Sequence, residues 1–262
     1  MISFTTAQLN LWIATFLFPL ARILGFVATA PILSNRQIPR DIKVAFGVVI
    51  TLAVAPTLNL QPDIEPGSAM GIFVLFQQIV IGLAMGFAMR LIFTAVEMAG
   101  EVAGLQIGLG FASFYDPQRG SFTPVVGQFL GIIAGLTFLA LDGHLYLLAG
   151  LAESFQTLPI TTTPISGSAF HTLALWGGGI FAFALQLSLP VLAVLLVTNL
   201  AMGILSRSAP QVNLFAIGFP ITLTVGFVIL ALTMGYFAPL LDQLAHQGLD
   251  TMLRVTRQLN GH

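Results

Sequence analysis

The chain has 262 residues, of which 56% are hydrophobic and only 7% are Asp, Glu, Lys or Arg. Soluble domains carry roughly a quarter charged residues, so this composition excludes an ordinary water-soluble enzyme and indicates an integral membrane protein. The formal net charge of -1 gives no support for nucleic-acid binding, and the absence of cysteine excludes disulfides and thiolate metal sites.

Apolar runs recur along the chain and predict membrane-spanning helices. A bilayer requires about 20 apolar residues per spanning helix. Six windows meet or approach this length, at residues 11–33, 44–60, 70–93, 124–148, 172–204 and 214–241. The stretch 94–121 is rich in glycine and carries charges, so we expect a re-entrant or pore-facing element there. Prolines inside four of the runs predict bent helices.

The distribution of Arg and Lys predicts the orientation of the helices. Loops 34–43 and 205–213 contain basic residues. The charged residues of loop 61–69 are all acidic, and loop 153–171 contains Glu153 with no Arg or Lys. The positive-inside rule places the two basic loops in the cytoplasm and the N-terminus outside. The same count puts the C-terminus outside, against which Arg254 and Arg257 in the tail weigh.

Two triplets of glycines occur at a spacing of four residues, which places each triplet on one helix face. Such faces let another backbone approach closely in membrane proteins. Two interpretations remain open, namely general helix packing and subunit packing around the segment between the triplets. The residues are Gly100, Gly104 and Gly108 before that segment, and Gly127, Gly131 and Gly135 after it.

The segment between the triplets, LGFASFYDPQRGSFT at 109–123, combines bulky aromatic residues with turn-forming residues. Asp-Pro favours a turn, and irregular backbone at membrane depth is tolerated only inside protein or beside a water-filled cavity. A movable loop bearing aromatic rings suits a constriction that seals a pore; an exposed loop anchored at the membrane interface is an equal alternative. The candidate plug residues are Phe111, Phe114, Tyr115, Asp116 and Pro117.

Three ionisable residues fall within an apolar region and are functional candidates for that reason. Glu97 and Glu101 are four residues apart and share a helix face, and Arg90 lies two turns before Glu97 on roughly the same side. We expect this buried ionic set to form structural ion pairs or inter-subunit contacts. Lining of a polar pore and a proton relay are the alternatives.

The sequence lacks the motifs that carry enzyme chemistry. It contains no His pair at metal-binding spacing, no phosphate-binding P-loop and no nucleophile elbow. We therefore expect a protein that is not an enzyme, with no catalytic residues, no metal and no cofactor.

Several stretches resemble one membrane-protein family over residues 5–245. The segment QIGLGFASFYDPQRG at 106–120, the early ARILGFVATAPILSNRQIP, the loop SRSAPQVN and the following FAIGFPITL are similar to the FliR family of flagellar export-gate proteins. The same family is called SctT in virulence-associated type III secretion.

The resemblance implies an all-α integral membrane protein of bent helical hairpins. Residues 1–171 would be a FliP-like part with a plug loop at about 106–122, and residues 172–262 a FliQ-like hairpin with a C-terminal tail. It also implies that the hairpins pack into a cone lying largely above the membrane plane. A cytoplasmic loop near the entrance would be formed by Arg207, Pro210, Gln211 and Asn213.

The resemblance further implies a subunit of the flagellar type III export gate, located in the bacterial inner membrane within the flagellar basal body and raised toward the periplasmic side. The partners would be FliP-like and FliQ-like subunits, an FlhB-like subunit, unfolded export substrates and membrane lipid, with no nucleic acid. From the residues alone, a secondary transporter using Glu97, Glu101 and Arg90 as a proton relay remains the alternative. A third reading is an assembly scaffold without a gating role.

Overall fold

The structure is a computed structural model, and it describes residues 5–58, 64–110, 124–209 and 214–260. Within these ranges the chain forms seven α-helices and one short 3-10 helix at Ala55–Thr57, with no β-strand. The helices are α1 (Thr6–Thr29), α2 (Arg40–Val54), α3 (Ala69–Ile107), α4 (Val125–Ala140), α5 (Gly143–Thr157), α6 (Ser168–Ser208) and α7 (Leu214–Leu259). The predicted all-α class is confirmed.

Helix α1 begins and ends at residues that the sequence marks clearly. Thr5 Oγ1 accepts a hydrogen bond from the Gln8 backbone N–H, and the Gln8 side chain accepts one from the Thr5 N–H, which forms a capping box. The helix ends just before Pro31, as expected since the residue before a proline disfavours helical backbone. Pro19 lies inside α1 and removes one backbone hydrogen bond.

Helix α3 is 39 residues long and continues to Ile107. The prediction of a re-entrant element beginning at residue 94 is therefore wrong for residues 94–107, whereas the alternative of a pore-facing element stays a prediction. No proline interrupts this stretch, and its glycines are compatible with a helix when they pack closely against a neighbour. Residues 111–121 of the predicted element lie outside the described residues.

The predicted window at 124–148 contains two helices and not one. Helix α4 ends at Ala140, and Asp142 adopts a left-handed backbone with a φ of 55° before α5 begins at Gly143. This break is the physical reason that the apolar run does not form a single straight helix.

Helix α7 is 46 residues long and runs to Leu259, so the residues expected to be a tail after 241 are helical. The polar end of α7 has an apolar face of its own. Met252, Val255 and Leu259 are all buried at the three- to four-residue spacing of a helix. The sequence analysis left the structure of this tail open, because hydropathy falls there while helical periodicity continues.

The chain divides into two compact units, each assembled from separate stretches. Unit 1 comprises residues 1–91, 142–177 and 245–262, and unit 2 comprises residues 92–141 and 178–244. Phe18, Phe26 and Met85 are among the fully buried residues of unit 1. In unit 2, the rings of Phe93 and Phe138 meet edge to face with centroids 5.4 Å apart. The predicted division at residue 171 stays a prediction.

Among the described residues, four helices are long and apolar enough to cross a membrane: α1, α3, α6 and α7. The bent pair α4 and α5, which meet at 70°, would make a fifth span if counted together. The predicted window at 44–60 contains a helix too short to span the membrane. Its helix, α2, has 15 residues, which corresponds to about 22 Å, whereas the hydrocarbon core is about 30 Å thick. By the same rise, α3, α6 and α7 extend roughly 59–69 Å, about twice the hydrocarbon thickness.

Candidate functional site

Helices α3 and α4 pack together through the predicted glycine faces. A Cβ added to Gly100 would lie 2.6 Å from the Cα of Gly127, and a Cβ added to Gly127 would lie 2.7 Å from the backbone oxygen of Glu97. Real side chains essentially never come this close. Only glycine at both positions permits this approach, as in other close-packed membrane helices.

The glycine contact brings together the two ends of the segment that contains the predicted plug. Leu109 and Gly110 after α3 and Pro124 and Val125 at the start of α4 line one small cavity with Gly104. The described residues on either side of 111–123 therefore lie close together on one helical hairpin. Phe111, Phe114, Tyr115, Asp116 and Pro117 lie outside the described residues.

Gly108 ends helix α3, and the helix packing predicted for it stays a prediction. Its φ is 100°, a left-handed backbone conformation that favours glycine. The N–H of Gly108 donates to the Leu105 carbonyl, and the N–H of Leu109 donates to the Gly104 carbonyl. This pair of bonds is a Schellman motif, so Gly108 ends α3 and sets the direction of the following segment.

The remaining two predicted packing glycines have different surroundings. A Cβ on Gly131 would lie 3.1 Å from the side chain of Glu97, whereas a Cβ on Gly135 would meet no atom within 4 Å. The α4 glycine face thus contacts α3 at one end and is open at Gly135.

The described residues do not enclose the ionic set. Arg90 and Glu97 are exposed and Glu101 is half-buried. The expectation of a buried ionic set stays a prediction.

Of the four residues named for the predicted cytoplasmic loop, the structure describes only Arg207. Arg207 is exposed in the last turn of α6, where a cation is favoured by the negative end of the helix dipole. Pro210, Gln211 and Asn213 lie outside the described residues.

The structure reveals a buried arginine that the sequence analysis did not select as a site. Arg22 of α1 is 0% exposed, and its guanidinium is held by polar groups of unit 1. Its Nε donates to Gln78 Oε1, and its NH1 group donates to the Ser154 carbonyl, each at 2.8 Å. Its NH2 group donates to the Leu158 carbonyl at 2.8 Å, and its Cζ lies 4.3 Å from the ring centroid of Phe155.

The arginine cluster joins the C-terminal end of α5 to α1 and α3. The Ser154 carbonyl accepts from both Arg22 and the Leu158 N–H, whereas the Leu158 carbonyl lies at the C-cap of α5, where helix carbonyls lack an intrahelical donor. The helix dipole also favours a cation there. A single cation within an apolar run was the signal available in the sequence. No Asp or Glu pairs with Arg22 in the described part of the chain.

Within the described residues, no group of three or more His, Cys, Asp or Glu side chains could hold a metal ion. The candidate site consists of the glycine-packed hairpin of α3 and α4, the residues that flank segment 111–123 and the exposed apolar faces of the helices.

Comparison with known proteins gives a family for this arrangement. Residues 13–248 match the model of a family described as bacterial export proteins, family 1. The flagellar biosynthetic protein FliR of Pectobacterium carotovorum is 44% identical over 260 residues, which cover 99% of both chains. This chain belongs to the FliR family of bacterial export proteins. The FliR protein of Escherichia coli is 40% identical over 259 residues, which cover 99% of both chains. The FliR protein of Bacillus subtilis is 29% identical over 240 residues, which cover 90% of this chain and 92% of the relative.

Membership in the FliR family confirms the resemblance based on the early helix, the 106–120 segment and the SRSAPQVN loop. It agrees with the four long apolar helices of the structure. The chain is an all-α membrane protein of bacterial protein export.

Proposed function

We propose that this FliR-family chain is a subunit of the flagellar type III export gate in the bacterial inner membrane. It forms a gated channel with FliP-like and FliQ-like subunits and is associated with an FlhB-like subunit. Unfolded flagellar proteins pass through the channel, and the aromatic segment from Phe111 to Pro117 seals it until a substrate enters.

The observation that carries this proposal is the close contact between Gly100 of α3 and Gly127 of α4. This contact fixes the two helices on either side of the segment, so the described residues that flank it are held close together. A plug must be held at its ends and movable between them. The glycine-packed base supports such an arrangement.

The exposed apolar faces support assembly with other subunits. In the most apolar window of each helix, 50% of α1 and 61% of α3 is buried, compared with 22% of α6 and 11% of α7. The hydrocarbon core is about half as thick as these helices are long, so lipid alone cannot cover the exposed faces of upright helices. Neighbouring subunits are the natural cover for the remainder.

Deletion of residues 110–116 tests the plug role. We expect ion leakage across the inner membrane to rise while the deleted chain still co-purifies with its partner subunits, because the α3–α4 contact lies outside the deletion. Leakage is measured as the membrane potential of cells that express the complex. Unchanged leakage in an assembled complex would contradict the plug role.

A pair of double substitutions separates the plug role from a general loss of aromatic side chains. Phe111→Ala with Phe114→Ala is expected to increase leakage. The matched control is Phe129→Ala with Phe227→Ala, since both of these rings are exposed outside the segment. Equal leakage from the two doubles would point to a scaffold without a gating role.

The transporter alternative makes a different prediction. If Glu97 and Glu101 relay protons, the isolated chain in liposomes should take up a substrate, and Glu97→Gln should abolish the uptake. The gate proposal predicts that the isolated chain transports nothing.

A further inference from the structure

Three consecutive glycines lie within helix α6. Gly177, Gly178 and Gly179 are all helical and fall well inside the 41 residues of Ser168–Ser208. Glycine is the least favourable residue in a helix interior apart from proline, because its backbone loses the most conformational freedom there. Three glycines in succession therefore make a weak turn in α6.

Close packing does not explain the first two of these glycines. A Cβ added to Gly177 or to Gly178 would meet no atom of the described residues within 4 Å, in contrast to Gly100 of α3. A Cβ added to Gly179 would lie 3.2 Å from the ring of Phe183, which belongs to the same helix. The property that glycine supplies at positions 177 and 178 is backbone freedom.

Helix α6 is anchored directly before the glycines. The indole Nε1–H of Trp176 donates to the Ala88 carbonyl at 2.8 Å, and Leu173 is buried one turn earlier. Trp176 and Ala88 both belong to unit 1, which ends in this helix at Gly177, and unit 2 resumes at Gly178. The weak turn thus follows an anchored turn and coincides with the boundary of a compact unit.

The part of α6 after the glycines is sparsely covered. Only 22% of the most apolar window of α6 is buried, and Phe181, Leu196 and Leu200 are 67%, 66% and 66% exposed. A helical segment with few buried contacts moves at low free-energy cost. An anchored turn, a weak turn and a sparsely covered segment in succession are the arrangement of a hinge.

Two other helices run from one unit into the other, and they differ in this respect. Helix α7 contains Pro239 shortly before its boundary at 244–245, and a proline in a helix leaves the carbonyl four residues earlier, here that of Gly235, without its donor. Helix α3 passes its boundary at 91–92 with no glycine or proline from residue 87 to 99. Helices α6 and α7 therefore have weak points near the boundary, whereas α3 is a continuous connection.

We propose that residues 177–179 are a hinge in α6, at which the segment after the glycines changes direction relative to the anchored segment before them. The hinge lets the exposed apolar face of α6 adjust to the partner subunits of the proposed gate. The hinge motion goes beyond the gate function and is measurable in the isolated chain, whereas its use in assembly rests on that function.

The test measures distances between pairs of spin labels in the full chain, purified in mild detergent. The chain has no cysteine, so labels attach only at introduced cysteines. Gln156→Cys with Leu200→Cys places the labels on either side of the hinge, and the control pair, Gln156→Cys with Leu175→Cys, lies within unit 1. All three positions are exposed. We expect a broad distance distribution across the hinge and a narrow one within unit 1.

Substitution of the glycines assigns the motion to the hinge. Gly177→Ala with Gly178→Ala should narrow the distribution across the hinge to the width seen within unit 1. The variant should fold, because both added methyl groups have space. The matched control is Gly203→Ala, at an exposed glycine of α6 where an added Cβ also meets no described atom within 4 Å. It should leave the distribution broad.

Three results would overturn the hinge. The first is an equally narrow distribution for both label pairs in the unmodified chain. The second is a distribution that stays broad in the double alanine variant, which would place the motion elsewhere, such as at Pro190. The third is equal narrowing by Gly203→Ala.

The assembled complex tests the use of the hinge. There the unmodified chain should give a narrow distribution across the hinge, because partner subunits cover the face of α6. A distribution that stays broad in the complex would overturn the role in assembly. Failure to form a complex would contradict the proposed gate function, while the measurement on the isolated chain still decides whether the hinge exists.

Discussion

At the residue scale, Arg22 connects three separate parts of unit 1. Its hydrogen-bond partners are 56, 132 and 136 residues away along the chain. The sequence indicates that an arginine in an apolar run needs partners. It cannot identify them, because Gln78, Ser154 and Leu158 are brought together only by the packing of α1, α3 and α5.

Replacing Arg22 tests the importance of this cluster. Arg22→Leu leaves the Gln78 amide oxygen and the Leu158 carbonyl without their donor, and each buried unsatisfied group costs about 1–3 kcal/mol. We therefore expect the free energy of unfolding in detergent to fall by at least about 2 kcal/mol. Arg22→Lys should lower the free energy of unfolding by a smaller amount, since an ammonium group can still donate but lacks the planar fork of five donors.

The matched control for Arg22→Leu is Arg36→Leu, because Arg36 is an exposed arginine in the loop after α1. It should change the unfolding free energy by no more than about 0.5 kcal/mol. Similar losses for the two variants would show that the buried hydrogen bonds contribute little.

At the element scale, the contact between α3 and α4 depends on glycine at one end of each helix face and not at the other. Gly100 is in contact with the backbone of α4, whereas Gly135 has open space. The four-residue spacing predicted both faces, but it does not distinguish the contacting glycine from the open one.

The same substitution at these two positions should have opposite effects. Gly100→Ala should destabilise the isolated chain by about 1–3 kcal/mol, because its Cβ has no room beside Gly127. Gly135→Ala should raise stability by about 1 kcal/mol, the helix preference for alanine over glycine. Thermal unfolding of the two purified variants measures both changes.

Co-purification with partner subunits gives the second readout for Gly135. If its open face packs against another subunit, Gly135→Ala will weaken the complex although the isolated chain is more stable. A destabilised isolated chain in Gly135→Ala would contradict the open face seen in the structure.

Helix boundaries were predictable where chemical signals were local. The capping box at Thr5 and the proline after α1 mark real boundaries. The ends of α3 and α7 were missed because a hydropathy window stops where charges appear. Helix α3 nevertheless continues past Glu97 and Glu101, and α7 continues along the amphipathic face of Met252, Val255 and Leu259.

At the scale of the whole molecule, the chain combines long apolar helices with large uncovered faces. Leu175, Phe181 and Tyr236 on α6 and α7 are 67%, 67% and 80% exposed. Composition predicted the membrane class, and the resemblance of the aromatic and SRSAPQVN segments predicted the family. The division into two units could not be predicted, because each unit is assembled from stretches distant in sequence.

Site-specific photo-crosslinking of a stalled export substrate tests the gate account most directly. A photoreactive amino acid at position 114 should crosslink to a substrate chain trapped in transit, while one at Phe181, on the exposed face of α6, should crosslink to lipid or partner subunits. Crosslinking of the stalled substrate at position 181 and not at position 114 would contradict the account.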